Sequence, residues 1–137
     1  MKKIVNSNEA PEPIGPYSQA IISEKTLYMS GQIAIDRSTG NLVNSDIKLE
    51  THQVMKNIDF ILNKAGYNFN DIVKCSIFIK DMGDFGSINE VYGQYFKENP
   101  PSRETVEVSG LPITVKVDVI GLPNNVNVEI SCFAVRQ

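Results

Sequence analysis

The chain has 137 residues, 42% hydrophobic and 21% charged. These are ordinary globular proportions that suit one domain and exclude collagen, coiled coil and a disordered chain. The net charge is −3 and the pI about 5.1, which argues against nucleic acid as the main ligand, because phosphate binding needs clustered Lys and Arg. No apolar run approaches the ~20 residues of a membrane helix. Met1 to Asn6 lacks the apolar segment of a secretory signal. Cys75 and Cys132 lie far apart and read as reduced thiols of a cytosolic protein.

The first sixteen residues carry Pro11, Pro13 and Pro16 and read as an irregular arm. Tyr17 to Ser23 and Leu27 to Ser30 are expected as strands joined by a polar turn. Ile33 to Ile35 continues the apolar pattern, and Asp36 to Asn41 has turn chemistry. Val54, Ile58, Ile61, Leu62 and Ala65 recur at helical spacing and predict a helix from about Ile47 to Ala65, with Gly66 as its stop. Asp71 to Lys80 alternates like a strand, except that Phe78 interrupts the polar face and implies that this face is covered too. A second helix is expected over Asp84 to Glu98, with Ser87 and Glu90 at capping-box spacing and Asp84 as a rival cap. Glu104 to Val108, Val115 to Ile120 and Val126 to Val135 read as strands. The order predicts an α+β fold, with two helices on one face of a mixed sheet. Near residues 110–131 a tandem repeat of eleven residues carries Gly110-Leu111-Pro112 into Gly121-Leu122-Pro123 and Val117-Asp118-Val119 into Val128-Glu129-Ile130.

Several stretches could carry chemistry. Gly15-Pro16-Tyr17 is a turn entering a strand, where Tyr17 could simply pack. Ser30-Gly31 could let a ligand or another chain approach the backbone, or could mark a bulge. Arg103 opens a strand after a rigid turn and suits a bidentate carboxylate clamp, or a surface pair with Glu104 or Glu107. Glu129 sits in an apolar strand, where a solvated outward face is the plain alternative. His52 reads as a solvated imidazole and Cys75 as a core residue. One histidine and two distant cysteines do not make a zinc site.

Taken together, these motifs resemble the RidA/YjgF family of imine deaminases over nearly the whole chain. They are Gly15-Pro16-Tyr17-Ser18-Gln19-Ala20, Ser30-Gly31-Gln32, Asn89-Glu90-Val91-Tyr92, Pro101-Ser102-Arg103-Glu104-Thr105 and Val128-Glu129-Ile130. The resemblance implies a chorismate-mutase-like fold and a single domain over residues 1–137. It also implies a homotrimer with sites in the clefts between subunits. The implied activity is cofactor-free hydrolysis of 2-imino acids such as 2-iminobutanoate and 2-iminopropanoate to 2-oxo acids and ammonia. Arg103 matches the family arginine for the substrate carboxylate. Tyr17, Ser30, Gly31 and Asn89 match pocket positions, and Thr105 stands where many members have a cysteine whose backbone contacts substrate. The water-positioning acid falls on Asp118 counting forward from Arg103, or on Glu129 counting back from the chain end. Glu129 is favoured, because Gly121 and Pro123 would interrupt a strand running on from Asp118. The alternative function is a non-catalytic, carboxylate-binding regulatory module on the same scaffold.

Overall fold

The computed structural model describes residues 1–112 and 125–137. The expected strand Val115 to Ile120, Asp118 and most of the eleven-residue repeat therefore lie outside the described residues. The strands are β1 (Lys2–Val5), β2 (Ala20–Ser23), β3 (Thr26–Gln32), β4 (Ile35–Asp36), β5 (Asn41–Leu42), β6 (Ile72–Ile79), β7 (Ser102–Glu107) and β8 (Val128–Val135). The helices are α1 (Ile47–Ala65), between β5 and β6, and α2 (Phe85–Gly93), between β6 and β7. Six strands form one mixed sheet in the order β1-β2-β3-β8-β6-β7, and β4 and β5 form a separate hairpin. Every pairing in the large sheet is antiparallel except β6 with β7.

Alternation sets the two faces of the sheet. Val128, Ile130, Cys132 and Ala134 of β8 and Cys75, Ile77 and Ile79 of β6 are buried under the helices, against the α1 stripe of Val54, Ile58, Ile61 and Leu62. Helix α1 begins where Asp46 accepts from the Leu49 amide and stops at Gly66, whose φ of 77° suits glycine. Its ends fall on the expected residues.

Other expectations need correction. Lys2 to Val5 is a strand rather than part of an irregular arm; the prolines begin only at Pro11, so these amides are free to pair with β2. Helix α2 ends at Gly93, five residues early. Ser87 and Glu90 lie inside it and form no capping box, and Asp84 makes no side-chain cap bond. Beyond Gly93 the chain leaves through tight turns, with Tyr95 N–H donating to Tyr92 O and Phe96 N–H to Gly93 O. Tyr95 and Phe96 then pack against Phe69 from outside the helix, and the Phe96 ring also lies 4.7 Å from that of Tyr92. Strand β8 starts two residues late, because Asn127 gives its amide to a side chain rather than to a neighbouring strand. His52 is half-buried and bonded to Tyr95 Oη at 2.9 Å, not solvated.

Candidate functional site

The pairing of β3 with β8 passes through Met29↔Cys132 and resumes at Gln32↔Ile130, so β3 spends one residue more than its partner. This bulge contains Ser30 and Gly31. Ser30 fixes it to the chain before β2: its amide donates to Gln19 O at 2.9 Å and its hydroxyl to Ser18 O at 2.6 Å. Gln19 in turn ties down the proline-bearing arm, accepting from the Ser7 amide and donating to Pro11 O. A Cβ at Gly31 would lie 1.9 Å from Glu129 Oε1. The glycine is there because a carboxylate occupies the space a side chain would need. Of the two readings of Ser30-Gly31, the bulge is present, and what approaches the Gly31 backbone is this chain's own Glu129 side chain.

Glu129 alternates with Val128 and Ile130 and therefore points away from the helices. It is half-buried, and burial holds its carboxyl above the usual carboxylate range. No cation or hydrogen-bond donor partners it among the described residues. Together with Tyr17, Gly31, Ile14, Ile33 and Ile35 it lines a small open concavity. Tyr17 is half-exposed at its wall, and its hydroxyl accepts from the Ile14 amide at 3.3 Å.

Arg103, Thr105 and Asn89 lie elsewhere. Arg103 pairs in register with Cys75 and Thr105 with Ile77, which places both on the helix-facing side of the edge strand β7. The Arg103 guanidinium carbon sits 5.7 Å from the Phe85 ring centroid and 5.0 Å from that of Tyr92, so α2 supplies an aromatic platform for it. Neither acid weighed as its partner pairs with it: Glu104 pairs with Lys74 at 3.3 Å and Glu107 accepts from the Met82 amide at 2.8 Å. Asn89 is half-buried, one turn after Phe85. The Thr105 hydroxyl is buried with no hydrogen-bond partner among the described residues. Cys75 is a core residue as expected, and burial raises its thiol further from ionisation.

One chain thus brings Tyr17, Ser30, Gly31 and Glu129 together on one side of the sheet and Arg103, Thr105 and Asn89 on the other. No group of His, Cys, Asp and Glu among the described residues could hold a metal ion. Sequence reasoning missed two features. Phe85 and Tyr92 belong to the apolar stripe of the second helix, and their spacing of seven, which builds a platform for Arg103, was not read as one. Glu50 was passed over, although it stands four residues before Val54 on the apolar stripe and is fully buried.

The family model for endoribonuclease L-PSP matches residues 7–136. A RutC family protein of Pyrococcus horikoshii is 50% identical over 119 residues, covering 87% of this chain and 94% of the relative. The human 2-iminobutanoate/2-iminopropanoate deaminase is 40% identical over 119 residues, with 87% of each chain covered. Among solved structures, E. coli TdcF with bound serine superposes with a TM-score of 0.85 at 34% identity, covering 98% of this chain and 99% of that one. The E. coli YjgF gene product gives 0.85 at 33% identity, covering 98% and 99%.

Proposed function

The chain belongs to the RidA/YjgF family, and we propose that within it this protein hydrolyses reactive 2-imino acids, such as 2-iminobutanoate and 2-iminopropanoate, to 2-oxo acids and ammonia. The observation that carries the reading is Glu129: an acid without a counter-ion among the described residues, half-buried beside Gly31 in an open concavity. The human relative's name supports the reaction class.

Arg103 binds the substrate carboxylate from its aromatic platform, and backbone groups at Gly31 and Thr105 hold the carboxylate and the imine nitrogen. Tyr17 walls the pocket, and Ser30 and Asn89 complete it. Glu129 orients a water against C2 and takes its proton as the C–O bond forms and the C=N π bond opens onto nitrogen. The proton passes to nitrogen to give the amino alcohol; its hydroxyl proton then also moves to nitrogen as the C=O bond forms and the C–N bond breaks, so that ammonia leaves and the 2-oxo acid remains. The only co-reactant is water. Imines already hydrolyse in solution, so positioning and modest acid–base help suffice.

Arg103 and Glu129 occupy opposite faces of one sheet, so a complete site needs the Arg103 face of one chain and the Glu129 face of another. A homotrimer with sites in its clefts meets that need. Replacing Arg103 by Ala should cost about 2–4 kcal/mol of transition-state binding. The assay is decay of 2-iminobutanoate released by a threonine dehydratase; a variant as fast as the parent contradicts the role. The same separation of Arg103 from Glu129 favours a second reading, a non-catalytic carboxylate-binding module. Binding of 2-oxobutanoate with no acceleration of imine decay by the parent protein would select it.

A further inference from the structure

Glu50, in the first turn of α1, is fully buried, and no cation pairs with it among the described residues. Its Oε1 accepts from the Asn127 backbone amide at 2.8 Å and its Oε2 from the Asn127 side-chain amide at 2.9 Å, and the Val128 backbone amide also faces the carboxylate. Asn127 lies between the segment 113–124 and β8. Its carbonyl accepts from the Lys80 amide at 3.0 Å, beyond the end of β6. Its side-chain amide also reaches Asn125 O at 3.2 Å, which accepts from Asn44 Nδ2 at 3.1 Å.

The clamp sits where β8 has least support. On the β3 side the ladder resumes after the bulge for a single pair, Gln32↔Ile130, and ends there because β3 itself ends at Gln32. Glu129 is one residue beyond that last pair and, among the described residues, is opposed by Phe78 of β6 alone. Two residues before Glu129, Glu50 holds the incoming chain against the helix layer. We propose that Glu50 is a positioning residue, which through Asn127 fixes the first turnless residues of β8 and so holds the Glu129 carboxylate against Gly31. The consequence for catalysis rests on the proposed imine hydrolysis; the mechanical part does not.

Two measurements separate these parts. In imine decay assays, Glu50→Ala should lower kcat on the order of tenfold or more with KM little changed, since the groups assigned to the substrate carboxylate are untouched. Glu50→Gln keeps one acceptor for the Asn127 amide and should recover most of the lost rate. Amide hydrogen exchange should show faster exchange across residues 127–130 in Glu50→Ala, with residues 132–135 as protected as in the parent. Asn127→Ala, which removes only the side-chain donor, tests the clamp if Glu50→Ala fails to fold, and should move both readouts in the same direction. A folded Glu50→Ala with parental kcat overturns the catalytic role. Unchanged exchange at 127–130 overturns the clamp itself. If the parent protein does not accelerate imine decay, the functional reading has failed and the exchange result alone judges the clamp.

Discussion

Gly31 and Glu129 define each other. A methyl group at position 31 would fall inside the Glu129 carboxylate, so Gly31→Ala forces that side chain away. The expected loss is about a hundredfold in kcat, the scale of a misplaced catalytic group, with binding of 2-oxobutanoate retained; parental turnover in this variant would contradict the role given to Glu129. The carboxyl of Glu129 is raised by burial, so in the folded state it gains its charge only above the ordinary carboxylate pKa of 4.5. Activity that needs the ionised form should therefore rise with pH along an acid limb displaced above that value, and Glu129→Gln should abolish the limb. The sign for stability is opposite. A raised folded pKa means that the native state holds its proton longer, so this group's contribution is present at low pH and is lost as pH rises through the folded pKa. Glu129→Gln should then melt higher than the parent at neutral pH, as thermal unfolding would reveal. The acid and the glycine were both visible in the sequence as single residues. Their contact was not, because a bulge that brings position 31 beside position 129 is a property of two strands far apart in the chain.

Elements differ in how much of their definition is local. Helix α1 could be read from its stripe and from Gly66, since both signals lie within the segment itself. Gly66→Ala should cost about 1 kcal/mol, because an alanine at φ 77° is strained, and a melting temperature unchanged by the substitution would contradict this. Helix α2 was overread, because Tyr95 and Phe96 continue its apolar spacing while packing against Phe69 outside the helix. Strand β1 was missed because the prolines of the arm were allowed to speak for Lys2–Val5 as well. Strand β7 was found nearly in place, and with it Arg103. What the sequence could not supply was the side of the sheet that Arg103 faces, which follows from its register with Cys75.

At the scale of the whole molecule, the sheet has one face under the helices and, among the described residues, one without them. Ile4, Ile21, Tyr28 and Phe133 line up in register across β1, β2, β3 and β8 on the uncovered face. The Tyr28 and Phe133 rings meet edge to face with centroids 5.4 Å apart. Such a row of apolar side chains is the kind of surface that another subunit covers. Placing aspartate at both Tyr28 and Phe133 should convert trimers to monomers in sedimentation velocity and remove the activity with them; a parent protein that sediments as a monomer would contradict the trimer. The interruption of the polar face by Phe78 was the only trace of this surface in the sequence reading. The division of Arg103 and Glu129 between two faces makes the account depend on a site shared by neighbouring chains. The direct test is to mix Arg103→Ala with Glu129→Gln, each inactive alone, and let the subunits exchange. A shared site predicts recovery of about a quarter of parental activity at equal amounts, because one interface in four then joins an intact Arg103 to an intact Glu129. Mixed trimers that stay as inactive as either variant would contradict it.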